Sequence, residues 1–407
     1  MDERFIVRRG FGRAMGLPLD GIRVVDLTRL LPGPFATQLF ANLGAEVIKV
    51  EDPGVGDYMR FVPPALDDTS YPFAMVNRDK KSVAVDLKTK AGQEVLHRLV
   101  ARADIFVEQF RAGVAAKLGA DYATLRTVNP RLVYCAFEGF GLNGPYAGRP
   151  AHDLDFEALA GILSVTGSED GRPVIPGVPV ADLASAYNAA FSILAALRRR
   201  DATGKGEFVD ISIFDTALSL MVLNFARYLG TGEIPLPGET LVTGQWPFYN
   251  VYETKDGRWL SVAAVEPKFW TRLLGILGLT EFEGDQLADE PTRGRATSAF
   301  RRKFRSRTLA EWRSAFKKED IPWAPVQTLP EVMRDPQVVA RQMLTEVNLG
   351  RLGKRKVLGH PAKMEGLSRP ASAHVPAKGE HTAEVLRGLG YTAAEIAALR
   401  KRDVIAP

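Results

Sequence analysis

Gly21-Ile-Arg-Val-Val-Asp-Leu27, Thr28-Arg-Leu-Leu-Pro-Gly33, Pro34 to Asn42, and Ala45-Glu-Val-Ile-Lys-Val-Glu51 form the run that decides the fold. The first and last pieces are short and rich in β-branched residues, which predicts two strands. Between them lies a Pro/Gly turn. Pro34 suits the first turn of a helix, where a missing N–H costs nothing. That helix, Phe35 to Asn42, ends before Gly44, a suitable residue just past a helix. Strand, helix and strand make a βαβ unit, which implies a parallel sheet.

The pattern continues outward. Ser82–Asp86, Asp104–Glu108 and Leu132–Phe137 read as strands, and residues 91–101 and 122–128 as helices. The first half is expected to be a doubly wound α/β domain of Rossmann type. Ile162 to Thr166 is expected to extend a helix begun at Asp153. Ala181–Arg200 is a long helix with Ala-rich faces. A strand over residues 208–213 and a helix over 215–227 follow.

The composition shifts near Tyr228, where Gly230, Gly232, Pro235, Pro237 and Gly238 mark a linker. Residues 248–254 and 259–264 read as a hairpin, with helices over 268–277, 290–304 and 309–317. The expected organisation is an extension over residues 1–16 and a large domain over 17–227. A small α+β domain over 228–327 follows. A stretch over 328–407, irregular as far as Pro370, then returns to complete the large domain with two C-terminal helices.

Composition bounds function. The 407 residues carry 53 basic and 48 acidic side chains, a net charge of +5. The excess is spread along the chain, unlike the concentrated basic stripe of a nucleic-acid binder. It suits an anionic small molecule carrying phosphates. The one cysteine, Cys135, excludes an intramolecular disulfide framework and any CxxC metal site. It lies in a β-rich run and is expected to be a buried strand residue. Apolar runs fall short of the ~20 residues of a membrane span, and residues before Leu17 lack the apolar centre of a secretory signal. The expectation is a cytoplasmic protein that binds neither nucleic acid nor membrane.

The turn after the first strand lacks the GxGxxG of dinucleotide sites. There is no P-loop, no HExxH and no GxSxG, and no metal site is expected. Of five histidines, His152 stands out: it follows the Gly/Pro-rich loop Gly139–Pro145 just after a strand ends. His97, on an amphipathic helix, is expected to be structural. Asp182, in Pro179-Val-Ala-Asp-Leu-Ala184, sits where a loop enters the long helix. Aspartate is favoured at N-caps, and a carboxylate there also suits a base or nucleophile. Local sequence leaves both readings open.

Taken together, the segments resemble the family III CoA-transferase superfamily, which includes the α-methylacyl-CoA racemases. The stretches that carry the resemblance include Leu19–Leu27, Pro32-Gly-Pro34, Leu43–Glu51, Asn77-Arg-Asp-Lys-Lys-Ser82, Asn129-Pro-Arg-Leu132, Gly139–Pro145 and Gly379-Glu-His-Thr382. It implies a two-domain subunit, an interlocked homodimer and an acyl-CoA substrate, with CoA on the large domain and no permanently bound cofactor. Asp182 occupies the position of the catalytic aspartate. Leu30, Leu31, Val85, Lys88, Gln109 and Phe110 match CoA-contacting positions. Arg78 lies in the shared basic segment, and Lys117 stands where the family has an arginine. Asp52 stands where another arginine is frequent.

The superfamily runs two chemistries. In transferases the aspartate attacks the thioester and passes through an aspartyl-CoA thioester. In racemases an aspartate and a histidine exchange the α-proton of a 2-methylacyl-CoA. Ala151-His-Asp-Leu-Asp-Phe156 and Val265-Glu-Pro-Lys-Phe-Trp270 resemble racemase segments. They make His152 the second base and Glu266 an acid that orients a catalytic group. Ala151, in place of the usual glycine, cuts the other way. The expectation is a racemase working by two-base proton transfer, with CoA transfer through Asp182 as the alternative.

Overall fold

A computed structural model of the chain describes residues 16–66, 69–167, 171–364 and 373–406. The extension expected over residues 1–16 lies outside them apart from Gly16. The chain forms two units. The first takes residues 1–160, 178–220 and 341–407, and the second residues 161–177 and 221–340.

The first unit is built on six strands: β1 (Arg23–Leu27), β2 (Glu46–Glu51), β3 (Lys81–Ala84), β4 (Ile105–Glu108), β5 (Val133–Glu138) and β6 (Glu207–Ser212). They form one sheet in the order β3-β2-β1-β4-β5-β6, and every pairing is parallel. Chain order reverses between β1 and β4. The central strands are buried on both faces, so they read as continuous apolar runs without alternation. Val24, Val25, Ile105, Phe106 and Val107 are fully buried.

Helix α1 (Pro32–Asn42) follows β1, α2 (Asp153–Leu159) follows β5, and α3 (Val180–Thr203) and α4 (Ile213–Leu220) flank β6. Helix α1 begins earlier than Pro34 because Pro32 already takes the first-turn position. Its start needs Gly33: a Cβ there would lie 2.3 Å from the Thr28 side chain. Helix α3 packs on α1, β5 and β6. By length and mean hydropathy (1.4) it is apolar enough to cross a membrane, contrary to the expectation from run lengths. Its small buried face, including Ala186, Ala189 and Ile193, lies instead in the core.

Other helices, Lys90–Val100 and Tyr122–Val128, share a core with the C-terminal helices Thr382–Gly388 and Ala393–Lys401. Ile405 forms a bridge to Val85, so the chain end closes beside β3. Within residues 328–370, expected to be irregular, Leu344–Asn348 pairs antiparallel with Lys354–Leu358. That hairpin buries little beyond Val347 and Val357, so it shows no clear alternation.

In the second unit, α5 (Val222–Thr231) precedes an antiparallel sheet of β7 (Tyr249–Glu253), β8 (Trp259–Ala263) and β9 (Trp323–Pro325), with β8 central. Its core is aromatic: Trp270, Phe300, Phe304 and Trp312 are almost fully buried.

Two of the crossings between units fall at helix breaks that periodicity did not reveal. The expected continuous helix from Asp153 to Thr166 is two, broken at Gly161 with φ 88°. The helix expected over 215–227 breaks at Met221. The second unit therefore begins at 221 where 228 was expected, takes in 161–177, and ends at 340 where 327 was expected.

Candidate active site

A cavity of about 580 Å³ opens beyond the carboxyl ends of β1, β4 and β5, all within the first unit. It lies where chain order reverses, the place where open parallel sheets bind ligands. Leu27, Arg29 and Leu30 contribute from the end of β1, Gln109 and Phe110 from the end of β4, and Glu138 from β5. Two smaller cavities continue along the same edge. One of about 60 Å³ shares Leu27, Arg29 and Phe110 with the first and adds Val85 and Lys88. The next, of about 450 Å³, shares Asp52, Asp86 and Lys88 and reaches Arg400 and Ala406.

Buried charge fixes the turn after β1. Asp26 accepts hydrogen bonds from Thr28 Oγ1 and Thr37 Oγ1, both at 2.6 Å, and pairs with Lys80 Nζ at 3.2 Å. Lys49 Nζ pairs with Asp57 at 2.8 Å and donates to Thr28 O at 2.8 Å. Burial opposes both charges. Lys80 is pushed down to about 8 by burial despite Asp26, whereas Asp26 and Asp57 outweigh burial at Lys49 and hold it above the usual lysine value. Asp57 also accepts the Leu30 N–H at 2.9 Å. Leu30 takes φ 61°, a left-handed conformation costing a non-glycine residue about 1–2 kcal/mol. The network holds Arg29 and Leu30 at the cavity in this conformation.

Asp182 is the third residue of α3, and Pro179 is the N-cap. The capping role falls to α2. Glu157 Oε1 accepts the Val180 N–H at 3.1 Å, and Asp153 Oδ1 accepts the Asp182 N–H at 3.0 Å. Asp153 and Glu157 are four residues apart, hence on one helix face. They satisfy N–H groups that a helix start leaves unpaired. The Asp182 carboxyl is thereby free of capping, lines the cavity, and accepts no side-chain hydrogen bond among the described residues. Burial, then the charges of Asp153 and Glu157, push its pKa up to about 7. A carboxylate that basic is a better nucleophile and base than an ordinary one.

His152 lines the same cavity as Asp182. It is the N-cap of α2, exposed, with its own N–H donated to Asp155 Oδ2 at 2.9 Å. Glu266 lies in the second unit, exposed, as the N-cap of helix Pro267–Leu277, and makes no side-chain capping bond.

Of the CoA-matching positions, Leu30, Gln109 and Phe110 line the cavity that holds Asp182, and Val85 and Lys88 the second. Gln109 Oε1 is buried with no hydrogen-bond partner among the described residues. Leu31 packs against the Met59, Phe73 and Val76 cluster. Lys117 is exposed at the end of a short helix and lines none of the three cavities. Arg78 is buried, donating to Met75 O, Asn42 Oδ1 and Leu358 O. The structure thus places Arg78 in the fold's interior, away from these cavities. Lys88 lies 4.0 Å from Asp52.

Sequence reading missed Arg29, Asp153, Glu157 and Glu138. The i, i+4 spacing of Asp153 and Glu157 was the available signal. Glu138 is pushed up to about 7 by burial, then by Glu108 and Asp210. Glu108 is also pushed up to about 7 by burial, and its Oε2 accepts the Phe110 N–H at 2.7 Å, which positions that ring. Cys135 is fully buried in β5. His97 bonds Gly119 O at 2.8 Å. His374, Glu380 and His381 converge, but their atoms bond one another, Ala377 N–H and Ser82 N–H.

The parallel sheet thus carries, where its chain order reverses, a cavity lined by a carboxyl of raised pKa. The chain belongs to CoA-transferase family III, whose model matches residues 19–382. It is 34% identical over 376 residues to mouse succinyl-CoA:glutarate CoA-transferase, covering 91% of this chain and 86% of the relative. It is 36% identical over 392 residues to succinyl-CoA:mesaconate CoA-transferase of Haloarcula hispanica, covering 91% and 96%. A crystal structure of a CaiB/BaiF family protein from Brucella suis superposes with a TM-score of 0.80 at 30% identity, covering 92% and 100%.

These relatives are transferases, and they turn the expectation from racemisation to CoA transfer. Of the two residues behind the racemase reading, His152 lines the Asp182 cavity, whereas Glu266 is exposed in the second unit and lines none of the three cavities.

Proposed function

We propose that this chain is a CoA-transferase that moves CoA between carboxylic acids through a covalent intermediate on Asp182. The observation that carries the reading is the Asp182 carboxyl, unbonded among the described residues, held near neutrality and lining the cavity of about 580 Å³. The carboxylate attacks the donor thioester carbonyl and forms a mixed anhydride, and CoA thiolate leaves. The thiolate then attacks the aspartyl carbonyl and releases the donor acid, leaving an aspartyl-CoA thioester. The acceptor carboxylate attacks that carbonyl, again expelling thiolate and forming an anhydride. The thiolate takes the acceptor acyl group and regenerates Asp182. No water enters and no oxidant is needed.

The strand order supports the Rossmann-like reading of the large domain. The chain of cavities supports CoA lying along the sheet edge. Gln109 Oε1, lacking a donor, suits an amide N–H of the pantetheine arm. Arg29, shared by two cavities, suits the diphosphate. CoA is a substrate that comes and goes. A homodimer is part of the reading: α3 exposes Tyr187, Phe191 and Leu194, and α5 buries none of its residues although it carries Val222, Leu223, Phe225 and Leu229. Apolar faces of this kind mark assembly surfaces.

The names of the relatives make succinyl-CoA the first donor to test. Incubated with succinyl-CoA and a panel of carboxylic acids, the enzyme forms new acyl-CoA esters, seen by chromatography, in equal amount to succinate released. Free CoA accumulating without a new ester contradicts the reading.

A further inference from the structure

Two arginines at the Asp182 cavity are held by aromatic rings in place of carboxylates. Arg29 lies 5.8 Å from the Tyr58 ring centre and 5.9 Å from that of Phe110. Arg149 lies 5.2 Å from the Tyr146 ring centre and 5.9 Å from that of Phe140. Neither guanidinium has an ion pair among the described residues. Stacking of this kind fixes the guanidinium while leaving its N–H fork available.

Their places differ. Arg29 belongs to two cavities along the sheet edge, whereas Arg149 lines only the one that holds Asp182. Arg149 precedes Pro150 and stands three residues before His152, on the loop that leads into α2 and Asp153.

The surroundings of Asp182 are anionic. Asp153 and Glu157 raise its pKa, and Asp155 and Glu138 line the same cavity. A substrate bringing a second negative charge there is repelled unless a cation compensates it, and an unpaired carboxylate is costly to desolvate. Arg111 and Arg149 both line this cavity and not the second, and of the two Arg149 is the one fixed by aromatic rings; its fork matches a carboxylate in two hydrogen bonds.

We propose that Arg149 anchors the distal carboxylate of a dicarboxylic acyl group, so that the acids exchanged at Asp182 are short dicarboxylates. This rests on the CoA-transfer reading above and names its substrate class. The near carboxyl faces Asp182 for chemistry, and the far one is held by the loop of Arg149.

The test compares glutarate with valerate, acids of equal length that differ in the distal carboxylate, as acceptors from acetyl-CoA. The readout is the ratio of their kcat/KM values. Wild type favours glutarate, and Arg149→Met lowers the ratio by between ~10- and ~100-fold, the range expected for losing hydrogen bonds to a charged group. Arg149→Lys keeps the charge and loses the fork, so its ratio falls between the two. This variant also keeps the test decisive if the methionine variant folds poorly. A wild-type ratio near one, or an equal ratio in wild type and variant, overturns the proposal while leaving CoA transfer standing. If wild type moves CoA to neither acid nor to any of the wider panel, the transfer reading itself fails.

Discussion

At the scale of single residues, the proposed CoA transfer turns on how Asp182 is kept from being an ordinary helix-capping aspartate. Two carboxylates of α2 take the N–H groups at the start of α3, and their charges, after burial, raise Asp182 to about 7. A nucleophilic carboxylate must be ionised, so kcat/KM in the free enzyme is expected to rise with pH and level off above about 7. Glu157→Gln removes a neighbouring like charge and moves that rise to lower pH, which a pH–rate profile checks. The same shift has a stability consequence. The folded state binds the Asp182 proton more tightly than the unfolded chain, so ionisation destabilises the fold. The cost is absent below about pH 4, grows as pH rises, and is complete above about 7. Asp182→Asn is therefore expected to abolish transfer and to stabilise the protein at pH 8, by on the order of 2 kcal/mol after allowance for solvent screening. Thermal melts at pH 4 and pH 8 read the difference. A gain equal at both pH values contradicts the cause assigned here.

At the scale of elements, the β1 turn is held by buried ions more than by apolar packing. Asp26, Lys80, Lys49 and Asp57 have fully buried side chains. Replacing one partner leaves the other charge uncompensated, and Lys80→Met is expected to cost about 3–5 kcal/mol in urea unfolding. The β-branched runs and the Pro/Gly turn made the βαβ start legible, because strand and helix periods differ there and Gly44 ends the helix. The buried ions were not legible, since a lysine or aspartate in a strand has no periodic signature. Helix breaks at Gly161 and Met221 were missed for a related reason: apolar residues continue on both sides of each break. Asp182 was recognisable as a candidate. Asp153 and Glu157 offered only their i, i+4 spacing, and their role depends on α2 lying against α3, which local sequence does not state.

At the scale of the molecule, the motifs that fixed the family say little about which chemistry the site runs. His152 and Glu266 looked like a second base and its support, yet Glu266 is exposed in the second unit and lines none of the three cavities. Assembly is testable at this scale. Phe191 is 73% exposed on α3, and Leu229 is 77% exposed on α5. Sedimentation of the wild type is expected to give a dimer, and Phe191→Asp to weaken it. A monomeric wild type with full activity contradicts the assembly proposed here.

The most direct test of the central claim is to trap the intermediate. The enzyme is mixed with succinyl-CoA, treated with hydroxylamine or borohydride, digested, and the peptides weighed. A hydroxamate or a reduced side chain is expected at Asp182, formed only when acyl-CoA is present. An unmodified Asp182 in an enzyme that turns over, with solvent deuterium appearing at Cα of a branched acyl-CoA, would contradict it.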